Sequence, residues 1–249
     1  MSALGELVDY MTTGANWEGA NGIPTAIGEH LRLSALSVAV AAVVAVPPAV
    51  ILGHIRRGGF LAVSVVNIGR AIPTFAIIAL LFPLSLRYHW ELGFWPTAVA
   101  LVLLGIPPIF TNTYTGIRDA EPEVVESARA MGQRPRQVVL GVEVPSALPL
   151  ILTGLRVSAV QIVATATLSA LVGYGGLGGL IIKGVAQQDD GKLLTGAVLV
   201  AVLAVLTELA FGVLERRAAP WLRRTGHRPP PDGLDVPSTA APDPTSAIA

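Results

Sequence analysis

Residues 31–53 read LRLSALSVAVAAVVAVPPAVILG, and Arg32 is the only charged side chain in the run. Its length fits one crossing, because about 20 residues at roughly 1.5 Å rise span a hydrocarbon layer about 30 Å thick. Lipid offers no hydrogen-bond partners, so a single apolar segment must bond its own backbone as a helix. The Pro47-Pro48 pair is the only interruption. Four more runs of this kind follow. They lie at 60–86, with Arg70 and Pro73 inside; at 94–116, with Pro107-Pro108; at 149–172, with Arg156; and at 193–215, with Glu208. The run at 60–86 reads in two ways. It is one tilted helix, or a short approach ending at Arg70 followed by a helix that starts at Pro73 and Thr74. Residues 174–185 are apolar and glycine-rich but too short to span, which fits a re-entrant piece. The expected fold class is an all-α membrane protein with five transmembrane helices.

Composition agrees. Of 249 residues, 52% are apolar and 14% charged, against about 25% charged in ordinary soluble domains. Mean hydropathy is +0.63. These values exclude a typical soluble enzyme and a disordered chain. The absence of cysteine excludes thiolate nucleophiles and Cys-ligated metals, and four scattered histidines give no metal site. Lys+Arg and Asp+Glu balance at 17 each, so no bulk charge favours nucleic acid.

Basic residues set the orientation. Arg56 and Arg57, the loop at 117–148 with Arg118, Arg129, Arg134 and Arg136, and Arg216, Arg217, Arg223, Arg224 and Arg228 place 11 of the 17 cations on one side. The N-terminus is therefore expected outside and the C-terminus in the cytoplasm. Residues 1–30 carry four acids and no Lys or Arg, which is unlike a secretory signal. The expected organisation is an extracytoplasmic segment at 1–30, a transmembrane domain at 31–216 and a cytoplasmic, mostly disordered tail at 217–249. The last 25 residues hold six prolines.

The loop at 117–148 carries the strongest functional signal. Pro122 suits a first helical turn, with Glu121 and Glu123 near the positive end of the helix dipole. Val124, Val125, Ala128 and Met131 form an apolar stripe, and Gly132 suits a left-handed C-terminal cap. A second short helix is expected from Pro135 to Leu140, with Pro145 and Pro149 at the return to the membrane. A short amphipathic helix on such a face suits docking into a partner's groove.

Glu126-Ser127-Ala128, then Gly132, then Val142-Glu143-Val144-Pro145 resembles the EAA loop of ABC-importer permeases in every spacing. The departures are Ser127 for Ala and valines at the Ile and Leu positions. The resemblance implies a type I ABC-importer permease fold in a prokaryotic cell membrane. It implies that Glu126, Ser127, Ala128, Gly132 and Pro145 belong to a loop that seats on a separate ATP-hydrolysing subunit. It also implies an extracytoplasmic solute-binding protein and a second permease copy or paralogue. Asn16-Trp17-Glu18-Gly19, Asn21-Gly22-Ile23-Pro24, Glu29-His30-Leu31, Arg70-Ala71-Ile72-Pro73-Thr74 and Gly173-Tyr174-Gly175-Gly176-Leu177-Gly178 are similar to the osmoprotectant group. That group imports glycine betaine, carnitine, choline or proline. Methionine-type permeases share similar stretches, so another small solute is the alternative.

No P-loop is present, so the chain is expected to be a transport subunit, not an enzyme. Gly173 to Gly178 formally fits G-x-G-x-x-G but lacks the preceding strand and the acid about 20 residues on. Close backbone packing at Gly173, Gly175, Gly176 and Gly178 is the better reading. Arg70, Arg156 and Glu208 sit inside apolar runs, where charges face a bundle interior or a water cavity. They line a path or fix packing, and Arg70 also has the option of snorkelling to the headgroups. Trp17, Tyr88, Trp90, Trp95 and Tyr174 fall in the outer interfacial belt, and no aromatic cage for a quaternary ammonium is visible. An ion-driven secondary transporter is the rival class. Its halves often show internal repeats with midplane acids; the sequence shows no such repeat, and Glu208 is the only acid inside an apolar run.

Overall fold

Pro24 occupies the first turn of a helix, where its missing N–H is not needed, and the apolar run behind it holds no strong stop. Helix α2 therefore spans Ile23–Ile55 and ends where Arg56 turns left-handed at φ 55°. It begins eight residues before the apolar run does, because Glu29, His30 and Arg32 are tolerated in a helix that projects past the hydrocarbon. The computed structural model describes residues 3–56, 59–69, 71–89 and 91–218. The expectations for Arg57, Arg70, Trp90 and the tail beyond 218 lie outside these residues.

Ahead of α2 lies α1 (Ala3–Thr12), followed by a short turn at Gly14–Trp17. The run at 60–86 takes its broken form, as α3 (Gly59–Gly69) and α4 (Thr74–Arg87). Pro73 caps α4 in an extended conformation (ψ 126°), and a residue before proline is itself pushed out of the helical region. Neither half is long enough to cross alone. Helices α5 (Phe94–Arg118) and α6 (Pro122–Ala130) come next.

A helix starts at Pro135 as expected, but it does not end at Leu140. Helix α7 (Pro135–Val138) runs through a π turn (Val139–Glu143) into α8 (Val144–Thr165) and a tight 3-10 stretch (Ala166–Val172). Pro145 has no N–H for the preceding turn. A wider turn, in which Val144 N–H bonds Val139 C=O, keeps the chain helical past it. The segment after it forms α9 (Gly176–Gln187), whose 12 residues are too few to span. Helix α10 covers Asp190–Ala218. Among the described residues, four helical stretches are long and apolar enough to cross a membrane: α2, α5, 135–172 and α10.

The core is the junction of α2, α5 and α8. Ala41, Ala45 and Ala49 recur at four-residue spacing on α2 and meet Ile109, Phe110 and Tyr114 of α5. Small residues in such a row let helices approach closely. Two glycines set the fit of α5 against α8. A Cβ on Gly105 would lie 2.6 Å from Ser158 Oγ, and one on Gly154 would lie 2.9 Å from the Pro108 carbonyl. At the far end Leu33, Phe94, Leu101, Ile162 and Tyr174 pack together. Helix α10 lies outermost, with Val202, Val205, Leu206 and Leu209 exposed, as lipid contact requires.

Candidate functional site

The loop between α5 and α8 is built as a small apolar seat with an exposed outer face. Val125 and Ala128 of α6 are buried against Ala120 and Val138, with Val142 alongside. The expected four-residue stripe is thereby split. Val124 is 46% exposed and Met131 73% exposed, and Glu126 and Ser127 are exposed as well. Helical periodicity alone could not divide the stripe, because it does not say how wide the covered sector is.

Gly132 closes α6. Its φ is +79°. Its N–H bonds Arg129 C=O at 2.9 Å, and Gln133 N–H reaches back to Ala128 C=O at 3.3 Å. This pair of bonds is the Schellman closure, which places a left-handed residue at the position after the cap. No atom lies within 4 Å of a Cβ built there, so the demand for glycine is conformational rather than steric. Pro145 stands in the first turn of α8.

A second group of polar contacts lies behind the loop. Glu143 is 1% exposed, and its carboxylate accepts a hydrogen bond from His54 Nδ1 at 2.7 Å. Arg56 donates to the Ala120 carbonyl at 3.2 Å. In the sequence Glu143 is no more than a spacer within the motif. The signal available was an acid between valines, next to a membrane segment with a histidine at the end of another.

Of the charges inside apolar runs, Arg156 and Glu208 come together, with Arg156 Nη1 3.6 Å from Glu208 Oε1. The same guanidinium lies 3.5 Å from Glu215 Oε2, and Thr153 Oγ1 donates to Glu215 at 3.4 Å. Glu215, which marked only a helix end in the sequence, thus belongs to the cluster. Thr74 opens α4 directly after Pro73. Next to Glu208 and one turn on from it along α10, Thr207 and Phe211 join Leu31, Ser34, Val38 and Val163 around an apolar groove of about 320 Å³. Ser34 Oγ is buried there without a partner.

The glycine run binds α9 to α2. Gly173 (φ +84°) and Gly176 (φ +74°) take left-handed conformations. Gly176 N–H bonds the Glu29 carboxylate at 2.6 Å. A Cβ at Gly175 would strike that carboxylate, and one at Gly178 would strike the Thr167 carbonyl. Tyr174, expected to face an interfacial belt, is instead buried against Phe94, with ring centroids 5.3 Å apart. Trp17, Tyr88 and Trp95 are exposed. At the same end Glu6, Asp9, Asp189 and Asp190 border a cleft of about 440 Å³. Burial, and then the charge of Asp189, push the Tyr10 hydroxyl above its ordinary pKa. Among the described residues no group of three His, Asp or Glu side chains is placed to hold a metal.

Comparison with known proteins gives a consistent result. The model for the family described as "Binding-protein-dependent transport system inner membrane component" matches residues 37–220. The choline transport system permease protein OpuBB of Bacillus subtilis is 35% identical over 192 residues, covering 77% of this chain and 86% of that protein. The carnitine transport permease protein OpuCD of Listeria monocytogenes is 33% identical over 221 residues, covering 88% and 95%. Among solved structures, an inward-facing form of the MetNI methionine ABC transporter superimposes with a TM-score of 0.67 at 23% identity, covering 79% of this chain and 95% of that one. An amino acid ABC transporter crystallised with histidines gives 0.67 at 16% identity, covering 85% and 98%. At such identities the structures establish the fold alone.

Proposed function

The chain belongs to the binding-protein-dependent transport system inner membrane component family, and from that premise we propose that it is the permease subunit of an importer for a small osmoprotectant. The solute class is that of choline, glycine betaine, carnitine or proline. The observation that carries this reading is one-third identity to choline and carnitine permeases over more than three quarters of the chain. The methionine alternative has only fold-level likeness behind it.

In this reading the chain itself cleaves nothing. ATP is hydrolysed by a separate subunit that takes the exposed face of α6, with Val124, Glu126, Ser127 and Met131 in contact. The buried side of α6 rests on Ala120 and Val138, which lie on the two flanks of the loop. A push on α6 therefore reaches α5 and the start of α8 together. Gly132 holds the end of α6 in place for that contact. A solute-binding protein delivers cargo at the opposite end, which explains why no aromatic cage is needed within the membrane. A second copy or a paralogue completes the path. We read the chain as crossing five times, with α3 and α4 as one broken crossing and residues 117–148 in the cytoplasm.

The test is uptake of labelled glycine betaine and choline by cells that depend on this permease. Each solute, and carnitine, should compete with the label, and methionine should not. Competition by methionine alone would replace the osmoprotectant reading with the alternative.

A further inference from the structure

Among the described residues, Glu143 is the only buried Asp or Glu. A carboxylate so placed is kept only where it is paired, since an uncompensated buried charge is strongly unfavourable. Its partner is His54 in the last turn of α2, at 2.7 Å. Two residues further on, Arg56 grips the Ala120 carbonyl at 3.2 Å. Ala120 lies on one flank of the loop and Glu143 on the other. The end of α2 thus holds both flanks, although α2 is far from either in sequence.

The backbone at Glu143 makes this contact consequential. Glu143 closes the π turn that joins α7 to α8, and Pro145 follows without an N–H to strengthen it. A wide turn next to a proline is a weak point in the 135–172 helix. Motion of the loop would be absorbed there unless something outside the helix braced it. His54 is placed to be that brace.

We propose that His54 and Glu143 are positioning residues that form a staple, through which motion of the α6 loop is passed to α2. Helix α2 contributes Leu31, Ser34 and Val38 to the groove beside α8 and α10, so the staple links the loop to a wall of that groove. The inference rests on reading the chain as an ATP-driven permease, and it adds a second route beside the direct one through α5.

The experiment uses the complete complex of permease, ATPase subunit and binding protein in proteoliposomes, with ATP hydrolysis and glycine betaine uptake measured together. Glu143→Gln keeps the shape and removes the charge. It should lower solute imported per ATP about tenfold, in the usual range for coupling between sites, while the ATPase subunit co-purifies at the parent ratio. His54→Leu should do the same, and His54→Gln, which keeps a donor toward the carboxylate, should retain more coupling. The swap of His54→Glu with Glu143→His should regain part of the loss. If Glu143→Gln fails to fold, the His54 pair of variants decides. An unchanged solute-to-ATP ratio in an active complex, or no advantage of Gln over Leu at residue 54, overturns the staple alone. A parent complex with no ATP-dependent uptake of any osmoprotectant overturns the importer reading, and the staple with it.

Discussion

Removing the Arg156 side chain should destabilise the bundle more than removing either acid it meets. The guanidinium lies 3.6 Å from Glu208 and 3.5 Å from Glu215. The two acids are seven residues apart, about 10 Å along one face of α10. Arg156→Ala leaves both without a cation in a membrane helix. The full penalty for breaking a buried pair is about 3–5 kcal/mol. The side chains of Arg156, Glu208 and Glu215 are 30%, 51% and 27% exposed, so a loss of about 2 kcal/mol is expected after screening. Glu208→Ala leaves Arg156 still paired and should lose only about 0.5 kcal/mol, as for an exposed pair. Glu215→Ala also leaves Arg156 one partner, Glu208, and Thr153 keeps its bond to the Pro149 carbonyl at 3.0 Å, so it too should lose only about 0.5 kcal/mol. The triple change to Ala should be more stable than Arg156→Ala alone. Unfolding by SDS of the detergent-purified permease, followed by tryptophan fluorescence, reads these differences. If the losses of Arg156→Ala and of the Glu208/Glu215 double change simply add in the triple variant, the three charges do not form a unit.

Three further outcomes follow from the same geometry. Gly132→Val should abolish uptake without lowering the amount of permease in the membrane, because a β-branched residue at φ +79° is strained by about 1–2 kcal/mol; immunoblots alongside uptake check this, and Glu126→Lys should behave alike. Gly154→Val should lower folded yield, because its Cβ would lie 2.9 Å from the Pro108 carbonyl; overpacking of this kind costs about 1–3 kcal/mol, which gel-filtration recovery would register. In the cysteine-free chain a cysteine at Asp190 should react with an impermeant thiol reagent in intact cells and one at Gln133 should not; labelling of Gln133 would reverse the orientation.

What was legible in the sequence was what periodicity and lipid dictate. The runs at 31–53, 94–116, 149–172 and 193–215 all lie within long helices, because a bilayer leaves apolar segments no other way to satisfy their backbones. The break at Pro73 stood in the sequence as one of two readings, and proline geometry selects it. The glycine at 132 declared itself by following an amphipathic helix. Other features depend on contacts between distant segments. Nothing local says that Val125 is covered and Val124 is not, since neighbouring helix positions differ only in what packs on them. Glu143 and His54 are 89 positions apart, and only the packing of α2 beside the start of α8 joins them. Glu215 was hidden because it sits where an apolar run ends, a place at which charge is expected anyway. Tyr174 follows the rule for interfacial aromatics, but the left-handed Gly173 beside it turns the chain back, and its ring packs in the core with Phe94.

The most direct test of the central claim is accumulation of labelled glycine betaine or choline by liposomes that contain the permease, its ATPase subunit and its binding protein. Solute should accumulate only when ATP is supplied on the side of residues 117–148 and binding protein on the other, and it should stop when the ATPase subunit is omitted. Accumulation by the permease alone, driven by a sodium or proton gradient without ATP, would contradict the account and make the chain a secondary transporter.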